Sequence, residues 1–192
     1  MADTKATKTI GEHWVASELA RHGWAPALTR DGLERTDILA VHSGEERPII
    51  EVQVKTIRGD SQTSSWPLGE KAQLPPKHSG EWFVMVAVPH DVERPSRGFI
   101  VLRAHTAAAA WIVHQHWLTE PGVPAGKRNA GVDRSRVALK FFERYEARWD
   151  LLLKPADQAP VLLPSELREI ALEERVGLPP EHPWHQEMPD AW

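Results

Sequence analysis

Residues 81–88 read EWFVMVAV, seven apolar side chains in a row after one acid. A strand sends successive side chains to opposite faces. An unbroken apolar run is therefore a strand covered on both sides, the inner strand of a layered sheet. That requires a chain with enough residues to supply both covering layers, and 192 residues suffice for one domain with a real core.

The elements around this run give the layers. TIGEHWVASELARHGW (residues 9–24) predicts a helix, with Val15, Ala16 and Leu19 on one stripe. Thr9 and Glu12 have capping-box spacing, and Gly23 supplies a stop. APALTRDG predicts a short strand running into a turn at Asp31 and Gly32, TDILAVHSG a second strand and IIEVQVKTIR (residues 49–58) a third. Their tight polar connections suit an antiparallel meander. Residues 59–80 read as loop, with Pro75 and Pro76 against a long helix. RGFIVLRA predicts a fifth strand and HTAAAAWIVHQHWL a helix. TEPGVPAGKRNAGVD reads as an exposed loop. SRVALKFFERYEARWDLLL reads as helical or mixed, with Phe141, Tyr145 and Trp149 on one stripe. The expected class is α/β with a mixed sheet. Residues 1–8 are expected to be flexible, residues 9–153 to form the domain, and residues 154–192 to be a Pro-rich, acidic tail with one short helix.

Composition limits the chemistry. The chain has no cysteine, so disulfides and thiolate sites are excluded, and a reducing cytoplasm is compatible. The N-terminal stretch has no apolar core of a signal peptide, and no apolar run has membrane-spanning length. The formal charge is −4, but residues 94–148 carry 10 basic and 4 acidic side chains while residues 149–192 carry 3 and 9. A basic middle and an acidic end fit a phosphate-facing surface with a shielding tail, and equally an ordinary solvated surface. There is no phosphate-binding glycine loop and no GxSxG.

The third strand carries the chemistry. Its odd positions Glu51, Gln53 and Lys55 put an acid, an amide and a base on one face. Asp37 heads the preceding strand. Glu12 lies on the apolar stripe of the first helix, where an unpaired carboxylate is costly; it is either the capping-box acid or aimed at a cation. Taken singly, Asp37 fits a turn residue and the odd face of the third strand fits a wet surface. Together they gather oxygen ligands suited to a hard divalent cation, with a lysine beside it.

This pattern, a glutamate on the first helix, an aspartate on a strand and a next strand with QVK, resembles the PD-(D/E)XK nuclease superfamily. It is most similar to the Holliday-junction-resolvase-like and Mrr-like branches and to small bacterial proteins that share VQVKT. The resemblance spans residues 9 to about 153. It implies a restriction-endonuclease-like αβββαβ core followed by C-terminal helices and an irregular tail. It also implies Mg²⁺ or Mn²⁺ as cofactor, DNA as substrate and metal-dependent endonuclease activity. By position, Asp37 is the motif aspartate, Gln53 fills the acid slot, Lys55 is the motif lysine and Glu12 the helix glutamate. Thr36 replaces the name-giving proline. Gln53 replaces an acid, so metal ligation falls on Asp37, Glu12 and Glu51 with a weaker contribution from Gln53. The alternative is a nuclease fold that binds nucleic acid or a protein without turnover.

Lys127, Arg128, Arg134, Arg136 and Lys140 are candidates for tracking a phosphate backbone. Trp66, in a loop expected to overhang the site, is a candidate for stacking on a base, against a packing role. His114 and His116 are too close in sequence to share a helix face, and His182 and His185 fall in the tail. Related nucleases often act as dimers, so a homodimer is one expected partner, and the aromatic acidic tail offers a surface for a protein partner.

Overall fold

The computed structural model describes residues 4–29, 33–124 and 126–192. The chain folds into an α/β structure around a mixed five-stranded sheet. Helix α1 (Thr4–Arg21) is followed by strands β1 (Trp24–Leu28), β2 (Ile38–His42) and β3 (Ile49–Arg58). Next come a short strand β4 (Ser65–Pro67), a single helical turn α2 (Glu70–Gln73), strand β5 (Glu81–Val88), strand β6 (Arg97–Leu102) and helix α3 (Arg103–Leu118). A short strand β7 (Arg136–Ala138), several 3₁₀ turns and helix α4 (Ser165–Ala171) complete it. No helix among the described residues is long and apolar enough to cross a membrane.

The sheet order is β1-β2-β3-β5-β6. The meander β1-β2-β3 is antiparallel, β5 joins β3 in parallel, and β6 returns antiparallel. All eight residues of β5 are buried, as its apolar run requires. α1 lies on the face of β3 that carries Val54 and Thr56, and α3 begins over the face that carries Gln53. Gly11 makes the first contact possible: a β-carbon there would overlap Thr56 Oγ1 and stand 2.9 Å from Thr56 Cβ. Gly11→Ala is expected to push α1 off β3 and cost about 1–3 kcal/mol through overpacking. Urea denaturation checks this: a lower midpoint at unchanged slope is the expected result.

Several local expectations change. α1 begins at Thr4, so residues 4–8 are helical, and Thr9 is a mid-helix residue whose hydroxyl donates to Lys5 O at 3.0 Å. It is no N-cap, and Glu12 is not a capping-box acid. The expected turn at Asp31 and Gly32 lies outside the described residues. The stretch expected as loop after β3 supplies β4, which pairs with β7 in a second, two-stranded sheet. Residues 136–138, within a stretch expected to be helical or mixed, are therefore a strand. Leu139–Tyr145 and Trp149–Leu153 are 3₁₀ turns, so Phe142 rather than Phe141 enters the core beside Tyr145.

The Pro-rich end packs onto the body. Val161, Leu162, Leu163, Leu167, Val176 and Trp192 are buried. His182 is buried as well; its Nε2 donates to Ala104 O at 2.9 Å while Nδ1 accepts Trp184 N–H. Nearby, Tyr145 accepts Leu162 N–H at 2.8 Å and donates its hydroxyl to His105 Nδ1 at 3.0 Å. Burial holds both imidazoles neutral, His105 down to about 3 and His182 down to about 4. In the unfolded chain both take protons near the ordinary value of about 6.5. The unfolded state thus binds more protons below that pH, and stability, full above it, falls as acid is added toward pH 4. Thermal melting between pH 7 and 4.5 is expected to show this loss. His182→Gln, which keeps a donor for Ala104 O, should flatten the slope by about one proton.

Candidate metal and phosphate site

β2 ends before β3 does. Ile38 pairs with Val52, and residues 53–58 of β3 continue with β5 on one side and no strand on the other. The chain approaching β2 caps this bare edge. Asp37 N–H donates to Val52 O at 2.9 Å, and Asp37 Oδ2 accepts Val54 N–H at 2.8 Å. The carboxylate is thereby fixed in the plane of the sheet, in the split between β2 and β3. A backbone reversal at Arg35, which takes φ 71, delivers it there. For a residue other than glycine this conformation costs about 1–2 kcal/mol. Arg35 is held by Glu81 Oε2 at 3.0 Å and by Pro75 O at 2.9 Å.

From the α1 side, Glu12 comes to the same split. Lys8 Nζ lies 3.3 Å from Glu12 Oε1 and 3.7 Å from Asp37 Oδ1, so one ammonium bridges the two carboxylates. Lys55 approaches from the other face of β3. It is half-buried and makes no ion pair among the described residues. Burial lowers its pKa; the Asp37 charge opposes this, while Arg103 and Lys8 add to it. Asp37 and Glu12 thus share the Lys8 ammonium, and the Asp37 charge also acts on Lys55.

Gln53 and Glu51 share the face of Lys55 but are turned to other partners. Gln53 Oε1 accepts from Arg103 Nη2 at 2.9 Å. Arg103, the first residue of α3, is only 1% exposed, stacks over the Phe83 ring at 4.5 Å, and pairs with Glu81 Oε2 at 2.5 Å. Burial and the neighbouring Arg35 bring its pKa down to about 10, so it stays charged at neutral pH. A fixed guanidinium against the Gln53 carbonyl disfavours a metal ion at that oxygen. Glu51 Oε2 accepts from the Thr36 hydroxyl at 2.6 Å and Oε1 meets His78 Nε2 at 3.1 Å. The hydroxyl, and after it His78, hold the Glu51 carboxyl below the usual range against burial. The expected ligand roles of Gln53 and Glu51 find no support in this arrangement. Among the described residues no three Asp, Glu or His side chains gather as a metal cluster.

The nucleic-acid candidates divide. Trp66 is fully buried, donates Nε1–H to Val86 O and packs on Phe99 and Phe142. It is a core residue and cannot stack on a base; the β4–β7 pair folds it inward. Lys127, Arg134, Arg136 and Lys140 are exposed and Arg128 is half-buried. Arg128 pairs with Glu120 at 2.6 Å and sits over the Trp117 ring. Lys140 lies over the Phe141 ring. Arg136 is bonded to Ser65 and borders a groove beside the end of β3.

Sequence reasoning missed Lys8, Arg103 and Glu81. Lys8 was signalled by its spacing, one helical turn before Glu12. Arg103 and Glu81 had no comparable signal, being a strand-end arginine and an acid opening an apolar run. The chain matches no family model, no curated protein and no solved structure.

Proposed function

We propose that the protein is a divalent-cation-dependent nuclease hydrolysing phosphodiester bonds of DNA, built on a restriction-endonuclease-like core. The observation that carries this reading is the Lys8 ammonium between Glu12 and Asp37, beside Lys55. Two carboxylate oxygens on one positive charge are a donor set that fits Mg²⁺ or Mn²⁺. Mg²⁺ commonly takes only one or two carboxylates and fills its remaining positions with water and substrate phosphate. When bound by Asp37 and Glu12, such an ion would supply Lewis-acid polarisation of a phosphate and a more acidic water. The order helix, three antiparallel strands, connection and parallel strand supports the core assignment.

The chain's own residues have distinct tasks. Val54 N–H fixes the rotamer of Asp37, so its second oxygen is presented at the split. Lys55, poorly solvated and without an ion-pair partner among the described residues, places positive charge where a pentavalent phosphate would accumulate negative charge, and donates hydrogen bonds to the attacking water. Arg103 and Glu81 hold Gln53 and, through Arg35, the chain leading into Asp37.

A second reading, nucleic-acid binding without turnover, is favoured by one observation: the acid slot holds a neutral amide tied to Arg103. Incubation of the protein with supercoiled, linear, branched and single-stranded DNA separates the two. The nuclease reading expects cleavage with Mg²⁺ or Mn²⁺ and none with chelator. DNA retention without cleavage under any of these conditions would favour the binding module.

A further inference from the structure

We propose that a second phosphate of the DNA strand, next to the one at Asp37 and Lys55, is held in a groove beside the end of β3. This rests on the nuclease reading for its strand, but its residues are separate. The groove has a volume of about 320 Å³ and is bordered by Thr7, Thr56, Arg58, Ser64, Ser65 and Arg136. Thr4 also reaches it, and among the described residues no acidic side chain lines it.

Three features suit a phosphodiester. First, Arg58 is half-buried and has neither an ion pair nor a side-chain hydrogen bond among the described residues. A partly desolvated guanidinium without a counter-charge is a strong site for a phosphate oxygen. Second, Arg136 is pre-positioned. Its Nε donates to Ser65 Oγ at 2.9 Å and its Nη2 to Ser65 O at 2.6 Å. That fixes the plane of the guanidinium and leaves Nη1 to donate. The β4–β7 pairing, in which Pro67 faces Arg136, sets this position. Third, the remaining wall is mostly hydroxyl, which donates to phosphate without reading sequence. Thr4 and Thr7 belong to the start of α1, a helix with no acid in its first turn.

The groove adjoins the split through the covalent chain. Thr56 follows Lys55 on β3, and Thr4 stands one helical turn before Lys8 on α1. A strand whose scissile phosphate lies at Asp37 and Lys55 would leave the split along this edge of the sheet. The Arg58 and Arg136 contacts would then fix its register, so that the reacting phosphate is presented rather than merely attracted.

Anisotropy of a labelled oligonucleotide, measured in chelator so that nothing is cut, tests the assignment. Wild type, Arg58→Ala, Arg58→Lys and Arg58→Ala with Arg136→Ala are compared at several salt concentrations, with melting curves as a folding control. Arg58→Ala is expected to weaken binding about tenfold and to reduce the slope of log affinity against log salt by about one. The double variant should lose about two, and Arg58→Lys should retain most of the slope. Unchanged affinity and slope in the double variant would overturn the groove even if wild type cleaves DNA. Conversely, a reduced slope in the variants, with a wild type that never cleaves, would leave the groove standing and remove the nuclease reading. Inorganic phosphate forms a separate arm: if it shifts the Thr56 and Arg58 amide resonances while DNA does not, the groove serves a free anion and the strand assignment is overturned.

Discussion

Glu81→Gln is expected to be the most destabilising single isosteric change in the protein, costing on the order of 3–5 kcal/mol. Glu81 Oε2 is the shared counter-charge of two arginines, Arg35 at 3.0 Å and Arg103 at 2.5 Å, both nearly sealed from solvent. If the glutamine keeps its oxygen on Lys77 N–H, which Oε1 now bonds at 2.5 Å, its NH₂ takes the place of Oε2, so the change removes the shared charge and turns a donor toward both arginines. Two buried guanidiniums would then face each other without compensation. Already in the wild type, Arg103 Nη1 and Arg35 Nε are buried without a hydrogen-bond partner, so no spare acceptor stands ready. Set against a typical domain stability of about 5–15 kcal/mol, the loss is a large fraction. Urea denaturation is the measurement. Adding Arg103→Met to Glu81→Gln should recover part of the loss, because the excess positive charge goes with it. A fall in midpoint equal to that of an ordinary surface substitution would show that the three side chains are not coupled.

The second large effect is on turnover. Lys55→Ala is expected to lower the cleavage rate by on the order of 10²–10³-fold, the scale of one lost charge-stabilising donor. Little of this should come from unfolding, since Lys55 makes no ion pair among the described residues and its removal relieves a burial cost. Stability should therefore stay level or rise while activity collapses. Rates measured with saturating DNA, beside a melting curve for each protein, separate these outcomes. Cleavage retained by Lys55→Ala would count against a role for the ammonium.

Much of the sheet was legible because long strands carry period-two or unbroken apolar patterns. The alternation in residues 49–58 placed Glu51, Gln53 and Lys55 on one face, and EWFVMVAV announced a covered strand. Short elements gave no such signal. Three-residue strands at Ser65–Pro67 and Arg136–Ala138 have too few positions to alternate, so Trp66 read as a loop residue although it is fully buried. The start of α1 was hidden by the polar run before Thr9, whose residues complete the helix that packs Val15 and Leu19. Proline content masked the packing of the last residues, although VLL at 161–163 already offered a buried anchor.

The candidate site shows a similar split. The order of Glu12, Asp37 and Lys55 along adjoining elements suggests that Glu12 and Lys55 each lie near Asp37, and Lys8 does join Glu12 to Asp37. What Gln53 and Glu51 do instead could not. Their partners Arg103 and His78 lie 50 and 27 residues further along, and the pairing depends on how α3 and the approach to β5 cross the face of β3. No periodicity encodes such a contact. The neutral Gln53 gains its physical meaning only beside the buried guanidinium.

The claim on which the rest depends is that Asp37 and Glu12 form one cation site, marked in this structure by the Lys8 ammonium. Calorimetric titration with Mn²⁺ on wild type, Asp37→Asn and Lys8→Ala tests it most directly. Asparagine preserves the acceptor for Val54 N–H, so the fold around the split should persist. The expected result is one site in wild type, at least about tenfold weaker binding in Asp37→Asn, and tighter binding in Lys8→Ala, where the competing charge is gone. Absence of Mn²⁺ binding in wild type, or equal affinity in Asp37→Asn, would contradict it.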